Sequence, residues 1–283
     1  MRNYSQLLPI VLLSLLILPE SGKCQKIDLD RRVSKITVQE ISIFELESDS
    51  LFREKQQVVV AELTRDLQSR YKLAIAYSDT LLKKTSQFAQ ESDALVALNG
   101  GFFDVERGGS VAYLESDGKV IAKTRLPKEK WAKTDSLLNG AIILDNSGSL
   151  KLEIAKPANY YEQSEAESWV MVAGPMLLLE GKGLPLENSS FVKTKHPRSC
   201  LCITSAKNIL FIAIDGRSAS ASGMSLTEVQ QFLLRLDCRD AINLDGGGST
   251  TLWINDGTKK QIVNHPSDKA GERRVANILL IKK

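Results

Sequence analysis

The segment 243–251, with the sequence Asn-Leu-Asp-Gly-Gly-Gly-Ser-Thr-Thr, constrains this chain more than any other stretch. Adjacent glycines weaken a helix or strand interior because glycine loses the most conformational freedom on folding. They are expected at a tight turn with positive φ, or where a ligand approaches bare backbone N–H groups that form an anion-binding concavity. Because Asp245 precedes the glycines and hydroxyls follow at Ser249 and Thr250, we favour a ligand site over a structural turn.

Two other apolar runs end in the same way, with a polar residue followed by glycine. The run 94–98 leads into Asn99-Gly100-Gly101, and the run 209–214 leads into Asp215-Gly216-Arg217. Loops at strand ends, held by a rigid scaffold, are where sites are usually assembled. A turn that needs glycine explains any single junction, but three junctions of one kind predict a shared cleft.

The C-terminal third contains a predicted strand–helix–strand unit. Ser225 and Glu228 form a capping-box pattern that opens an amphipathic helix between the strands 209–214 and 241–245. If these strands are parallel neighbours, their two terminal acids, Asp215 and Asp245, lie on the same edge of a sheet.

Arginines precede two of the predicted strands. Arg198 leads into the run 201–203, and Arg274 leads into the run 275–281. The planar guanidinium suits bidentate recognition of phosphate or carboxylate, whereas the alternative for each residue is a surface ion pair. Together with the glycines and hydroxyls, the arginines favour an anionic ligand group.

Common catalytic motifs are missing from the sequence. It has no Gly-x-Ser-x-Gly elbow, no phosphate-binding loop and no His-Glu-x-x-His, and its only histidines are His196 and His265. A multi-histidine metal centre is excluded, so carboxylates are expected to do any acid–base or nucleophilic work. Paired acids are typical of glycoside hydrolysis, and a phosphate leaving group needs little help from a general acid.

Most of the remaining chain is predicted to be β-structure in a single domain. No repeat or composition break divides the sequence, and its net charge of +3, without a basic run interleaved with aromatics, gives no support for nucleic-acid binding. We predict a short helix with a hydroxyl cap over 85–90 and a long polar connection over 156–168. Predicted strands cover 36–38, 40–46, 58–60, 73–77, 94–98, 111–114, 120–121, 141–144, 150–152, 169–173, 176–179, 201–203, 209–214, 241–245 and 275–281.

The N-terminus reads as a secretory signal. Arg2 precedes the apolar run 7–18, which is too short for a comfortable membrane span, and small or polar residues follow. We expect residues 1–24 to be removed, which leaves a secreted or periplasmic protein without a transmembrane span. Lipid anchoring at Cys24 is the second choice because Lys23 departs from the usual lipoprotein pattern.

Export permits a disulfide among the remaining cysteines. Cys200 and Cys202 share one face of a predicted strand and are poorly placed to bond each other, so one of them is expected to reach Cys238. Small, buried, reduced side chains are an equal alternative.

The ordered set of motifs resembles the phosphodiester glycosidase family over roughly residues 73–281. The segments that carry the likeness are Ala97-Leu98-Asn99-Gly100-Gly101-Phe102-Phe103-Asp104, Gly174-Pro175, His196-Pro197-Arg198-Ser199, Asp215-Gly216-Arg217, the helix from Ser225, the run from Ala241 to Ser249, and Arg273-Arg274-Val275. The resemblance implies an α/β (α+β) fold, with a large mixed, mostly antiparallel sheet core flanked by helices. Residues 73–283 would form the family domain, and residues 25–72 would add lead-in strands to the same domain.

The resemblance also implies an activity: cleavage of the glycosidic bond in a sugar-1-phosphodiester of the N-acetylglucosamine-1-phosphodiester type, with release of free sugar. No cofactor is required, a structural calcium ion stays open, and the partner is a glycan or sugar-phosphate substrate. The implied catalytic residues are Asp245, Asp215 and Asn99, and the implied substrate or phosphate ligands are Arg198, Arg274, Gly100, Gly246, Gly247, Gly248, Ser249 and Thr250.

Several alternatives remain open at this stage. Ser199 stands where the family often has Thr, and Cys200 and Cys202 replace smaller residues, but the hydroxyl is kept and activity is expected. The competing functions are a non-catalytic factor for glycan binding or exopolysaccharide assembly, and a metal-dependent phosphodiesterase that cleaves the P–O bond. The sequence does not assign the nucleophile, the stereochemical outcome, the natural sugar or the oligomeric state.

Overall fold

The computed structural model describes residues 34–125 and 137–283. The predicted signal segment 1–24 and the Cys24 alternative lie outside these residues. In chain order the strands are β1 (Ser34–Val38), β2 (Ile41–Ser48), β3 (Gln56–Leu63), β4 (Lys72–Tyr77), β5 (Lys83–Lys84), β6 (Val96–Asn99), β7 (Leu114–Ser116), β8 (Lys119–Ala122), β9 (Gly140–Asp145), β10 (Leu150–Ile154), β11 (Glu167–Ala173), β12 (Met176–Leu179), β13 (Lys182–Gly183), β14 (Arg198–Thr204), β15 (Ile209–Ile214), β16 (Cys238–Asn243), β17 (Leu252–Asn255), β18 (Lys260–Ile262), β19 (Arg274–Val275) and β20 (Asn277–Lys282). The helices are α1 (Thr85–Glu91), α2 (Ala158–Glu162), α3 (Ser190–Lys193) and α4 (Leu226–Arg235).

The strands form three main sheets and one short ribbon. The largest sheet has eight strands in the order β1-β2-β3-β15-β14-β16-β12-β13. Two five-stranded sheets have the orders β10-β9-β11-β7-β8 and β18-β17-β6-β20-β4, and β19 pairs with β5. The prediction of an α+β fold with a mostly antiparallel β-sheet core and flanking helices in a single domain is confirmed, although the helices are few and the strands are divided among several sheets instead of one.

The central strands β14 and β15 of the eight-stranded sheet are buried on both faces, and their successive side chains enter opposite cores. On β14, Leu201 and Ile203 enter the central core that the sheets share. Their neighbours Cys200 and Cys202 enter the opposite core, which also contains Val229 and Phe232 of α4. A strand with both faces covered has no polar positions to alternate, which explains the nearly continuous apolar runs of β14 and β15.

The two acids that follow β15 and β16, Asp215 and Asp245, lie at the same edge of this sheet. Both strands pair antiparallel with β14, so they are parallel to each other with β14 between them. The expectation that they are direct neighbours was wrong, but their shared direction still brings Asp215 and Asp245 to one edge. The first residue of β14, Arg198, lies between these two strand ends.

Helix starts differ in how well they were predicted. Ser225 Oγ accepts the backbone N–H of Glu228 at 3.3 Å, and the Glu228 carboxylate accepts the Ser225 N–H at 2.9 Å, which confirms the capping box of α4. In α1 the expected hydroxyl cap is absent: Thr85 is the first helical residue, and the capping position is Lys84, which makes no side-chain cap.

Cys202 and Cys238 form a disulfide between β14 and β16, with a Cα–Cα distance of 5.8 Å. Cys200 is a buried free thiol, and burial raises its pKa to about 12. The pairing that the strand geometry allowed is thus present, with one cysteine left over. No helix within residues 34–125 and 137–283 has the length and apolar character needed to cross a membrane.

Candidate active site

Two of the three predicted junctions are joined directly at the end of β6. Asn99 Nδ2 donates to the carbonyl of Asp245 at 2.7 Å, and the N–H of Asp245 donates to the carbonyl of Gly100 at 3.0 Å. Asn99 Oδ1 accepts from Ser199 Oγ at 2.6 Å and from the N–H of Thr251 at 3.2 Å. Because Asn99 is fully buried and its amide makes these contacts, it holds the 243–251 loop in place.

The three glycines are required mainly by close packing of the loop. A Cβ at Gly246 would lie 2.7 Å from the Pro197 carbonyl oxygen, and Gly247 has a φ of +62°. A Cβ at Gly248 would overlap the side chains of Asp268 and Arg273. Each glycine therefore has a steric or conformational reason that a larger residue would violate.

Most amides of this loop are used internally, which limits the anion-binding concavity that the glycines suggested. The N–H of Gly247 donates to the carbonyl of Pro197 at 2.9 Å, and that of Ser249 donates to the carbonyl of Gly246 at 3.2 Å. The N–H of Thr250 donates to the carbonyl of Gly247 at 3.3 Å. The loop is a compact turn, and charged side chains beside it are better placed than its amides to meet an anion.

Asp245 is partly exposed at the start of the loop, and its pKa is raised to about 6. Burial within the surrounding protein raises this pKa, while the Ser249 hydroxyl and the positive charge of Arg273 oppose the shift. A carboxyl that titrates near neutral pH and keeps access to solvent is suited to acid–base or electrostatic catalysis.

The arginine beside Asp245 is Arg273, whereas Arg274 was expected there. Arg273 donates from Nε and Nη2 to the two Asp268 carboxylate oxygens at 2.8 and 3.0 Å, and this pair packs over Gly248. Arg274 is exposed on β19, where it pairs with Lys84. Arg273 directly precedes β19, and side chains of adjacent residues in an extended chain point to opposite sides, so only one of the two arginines turns toward the loop.

A second arginine approaches the loop from the Asp215 junction. The Arg217 guanidinium lies over Gly247, where a Cβ would be 3.1 Å from Nη2, and Nη2 donates to His196 Nδ1 at 3.1 Å. Arg217 is exposed and forms no ion pair with any acid in the described part of the chain. Burial lowers the pKa of His196, and the positive charges of Arg198 and Arg217 lower it further.

Arg198, which was expected to bind phosphate, is buried, with an exposed fraction of 2%. Its Nε donates to the Met224 carbonyl at 3.0 Å, and its Nη2 donates to the carbonyls of Phe191 and Thr194 at 2.9 and 2.8 Å. Burial lowers its pKa to about 10. These bonds fix the segment before β14 against the loop before α4, and they leave little of the guanidinium for a ligand.

Asp215 is buried, with an exposed fraction of 2%, and both of its oxygens are occupied. Its Oδ1 accepts from Asn264 Nδ2 at 2.9 Å, and the N–H of His265 donates to both oxygens at 3.0 Å. The ring nitrogen Nδ1 of His265 lies 3.1 Å from Oδ2. Burial raises the pKa of Asp215, and the bonds from Asn264 and His265 oppose that shift.

Two consecutive hydroxyls of the loop have unused hydrogen-bonding capacity. Thr250 Oγ1 and Thr251 Oγ1 are buried and have no hydrogen-bond partner among the described residues, whereas the Ser249 hydroxyl, which is also buried, acts on the Asp245 carboxylate. Buried polar atoms are normally satisfied, so unused capacity in a native structure calls for a specific explanation such as water or a ligand. No group of three His, Cys, Asp or Glu residues suited to a metal ion occurs in the described ranges.

Several residues of this site were not predicted to be site residues from the sequence: Asn264, His265, Asp268, Arg273 and Arg217. Four of these lie in the polar stretch 264–273, which has no regular hydrophobic period and so gave no element to place. One signal was available, because His265 is half of the histidine content of the chain. The structure brings both histidines to this edge, so acid–base work is not limited to carboxylates.

Comparisons with known proteins identify a family and similar folds. A family model described as "Phosphodiester glycosidase" matches residues 92–282. The N-acetylglucosamine-1-phosphodiester alpha-N-acetylglucosaminidase of Bos taurus is 26% identical over 222 residues, which cover 68% of this chain and 38% of that protein. The human protein of the same name is 26% identical over 203 residues, which cover 64% of this chain and 35% of that protein. The chain thus spans little more than a third of the length of these relatives.

Two solved structures share the fold. The catalytic domain of the zebrafish N-acetylglucosamine-1-phosphodiester alpha-N-acetylglucosaminidase, auto-inhibited by its pro-peptide, matches with a TM-score of 0.67 at 21% identity. That match covers 88% of this chain and 84% of the zebrafish chain. A hypothetical protein from Synechocystis matches with a TM-score of 0.63 at 17% identity, over 88% of this chain and 63% of that one.

Proposed function

The chain belongs to the phosphodiester glycosidase family, and we propose that it hydrolyses the glycosidic bond of a sugar-1-phosphodiester and releases the free sugar. The observation that carries the proposal is the setting of Asp245. This carboxyl, with a pKa raised to about 6, starts a loop whose next residues lie under the guanidinium groups of Arg217 and Arg273. A carboxyl at the start of a loop that lies under two positive charges suits a substrate in which an anomeric carbon is bonded to a phosphate.

The charges support a position for each part of the proposed substrate. Arg217 has no acidic partner among the described residues, so it is the first choice for the phosphodiester oxygens. Arg273 is already paired with Asp268 and adds a second positive charge nearby. The sugar then lies over Asp245, whose ionised carboxylate stabilises the positive charge that develops at the anomeric carbon.

The leaving group of this reaction does not need a strong proton donor. Departure from the anomeric carbon leaves a phosphomonoester, an anion that is stable without protonation, so electrostatic help from the arginines replaces a strong general acid.

We also propose that the protein works outside the cytoplasm. The apolar N-terminal run supports this, and the disulfide between Cys202 and Cys238 suits an oxidising compartment. Relatives are named for N-acetylglucosamine-1-phosphodiesters, so that class of substrate is the first to test.

The test is release of free N-acetylglucosamine from UDP-N-acetylglucosamine and from a synthetic N-acetylglucosamine-1-phosphodiester. Asp245→Asn keeps the size of the side chain but removes its charge, and we expect turnover to fall on the order of 10²–10³-fold. Asp66→Asn is the matched control and should keep full activity, because Asp66 is exposed and follows the end of β3 that pairs with Ile209, at the other end of β15 from Asp215. Glycan binding without turnover by the wild type, unchanged in Asp245→Asn, would instead indicate a non-catalytic binding protein.

A further inference from the structure

We propose that His265 is the general base of the reaction, and that Asp215 is the residue that positions it. This inference rests on the function proposed above and assigns the second group that hydrolysis needs, the one that activates water. It also changes the role expected for Asp215, from a carboxylate that meets the sugar to one that acts through an imidazole.

The geometry of Asp215 excludes direct contact with substrate. The carboxylate is buried, and its two oxygens accept bonds from the side chain of Asn264 and from the backbone and ring of His265. A carboxylate with so many donors and so little exposure has no free lone pair directed to the solvent side. Its remaining chemical effect is on the groups that it holds.

The same geometry prepares His265 to accept a proton. A carboxylate oxygen can only accept, so the Nδ1 atom 3.1 Å from Asp215 Oδ2 carries the hydrogen of the neutral ring. The lone pair of that tautomer is then on Nε2, on the far side of the ring. The His265 side chain is 79% exposed, so Nε2 is open to water while Nδ1 is fixed.

His265 lies between two residues that are anchored on the catalytic loop. On one side, Asn264 Nδ2 donates to the Thr250 carbonyl at 3.1 Å as well as to Asp215. On the other side, Asp268 packs against Gly248 together with Arg273. The segment 264–268 is therefore fastened to the 243–251 loop on both sides of His265.

The proposed step is a hydrolysis in which all atoms are accounted for. Nε2 of His265 takes one proton from a water molecule while the water oxygen forms a bond to the anomeric carbon. The bond between that carbon and the phosphate oxygen breaks, and its electron pair leaves with the phosphomonoester. The products are the free sugar, the phosphomonoester and a protonated imidazole, which returns its proton to solvent.

The alternative is that Asp215 only fastens the 264–268 segment, and that the imidazole is a bystander. The backbone N–H of His265 supplies two of the bonds to Asp215, so this segment stays attached when the side chain of His265 is changed. His265→Ala therefore removes the base without removing the anchor. Because the ring is exposed, free imidazole can enter the space that it leaves.

The experiment measures release of N-acetylglucosamine by wild type, His265→Ala, Asp215→Asn and Lys269→Ala, with and without added imidazole. We expect kcat to fall at least 10²-fold in His265→Ala and to recover at least tenfold with imidazole, while the wild type does not respond. Asp215→Asn should lose kcat without rescue, because its own ring still fills the site in the wrong orientation. Lys269→Ala, at an exposed position in the same stretch, should behave as wild type.

The outcomes separate this inference from the proposed function. A wild type that turns over, with His265→Ala equally active or inactive but not rescued by imidazole, overturns the base assignment and leaves the glycosidase function standing. A wild type that releases no sugar from either substrate overturns both. Matching thermal melting curves for the four proteins show that the losses are not caused by unfolding.

Discussion

At the scale of single residues, the central feature is a carboxyl whose charge is set by burial and by its polar neighbours. Burial raises the pKa of Asp245 to about 6, and the Ser249 hydroxyl and the positive charge of Arg273 oppose the rise. A raised pKa means that the neutral form is favoured as pH falls through about 6. Since the ionised form stabilises the developing positive charge, activity should be lost below that pH and kept above it.

Removing the charge of Arg273 should raise the pKa of Asp245 further. In Arg273→Gln the opposing charge is gone, so the titration midpoint should move to higher pH. The measurement is an NMR titration that follows the ¹³C shift of the Asp245 carboxyl carbon. This shift reports the protonation of that carboxyl, whereas a pH–rate profile also depends on other titrating groups. Arg274→Gln removes the same charge from an exposed position opposite Lys84 and is the matched control. Equal midpoints in all three proteins would contradict the assignment of Arg273.

The sequence predicted the residue types of this site better than their individual positions. Asp245 and Asp215 were found because each ends an apolar run, which is a local signal. Arg273 and Arg274 are adjacent, and which of them faces the 243–251 loop depends on how β19 is oriented. That orientation is set by the pairing of β19 with β5, which lies almost 200 residues earlier in the chain, so no local sequence pattern predicts it.

At the scale of elements, the site is assembled by three strand ends and the short turns that follow them. β14 separates β15 from β16, and the Asn99 amide ties the end of β6 to the 243–251 loop. The hairpin turns and the capping box of α4 were predictable because their signals are local in sequence. The insertion of β14 between two parallel strands was not, because strand order depends on contacts between distant segments.

Substituting the first glycine of the loop should disturb this assembly. In Gly246→Ala the new Cβ would lie 2.7 Å from a backbone oxygen of Pro197, which cannot move without shifting the start of β14. We expect a loss of roughly 1–3 kcal/mol in the free energy of unfolding, measured by urea denaturation. Gly183→Ala is the control, since its Cβ would be 3.6 Å from the nearest atom, in the side chain of Gln230. Equal stability of the two variants would argue against the close packing described for the loop.

At the scale of the whole molecule, the N-terminal strands belong to the sheet that carries the site, although the family match begins only at residue 92. β3 pairs along the whole length of β15, from Val58 to Leu63. The N–H of Asp215 donates to the Gln57 carbonyl at 2.9 Å, and Gln56 Nε2 donates to the Gly223 carbonyl at 3.0 Å. These bonds support the proposal that residues 25–72 are part of one domain with the rest.

A chain that starts at residue 64 should therefore fail to fold. It would expose the edge of β15 and the apolar faces that β2 and β3 cover, and exposed edges of this kind promote aggregation. A chain that starts at residue 34 is the control and should elute as a folded protein. Circular dichroism and size-exclusion chromatography decide the result: a folded, active chain from residue 64 would make the N-terminal strands an accessory element.

The central claim is that water attacks the sugar and the C–O bond breaks, and hydrolysis in H₂¹⁸O tests it most directly. With an N-acetylglucosamine-1-phosphodiester as substrate, we predict that mass spectrometry will find the ¹⁸O at the anomeric position of free N-acetylglucosamine and none in the phosphate product. An ¹⁸O label in the phosphate, with N-acetylglucosamine-1-phosphate as the released sugar, would mean that the P–O bond is cleaved and would contradict the assignment of Asp245, Arg217 and His265.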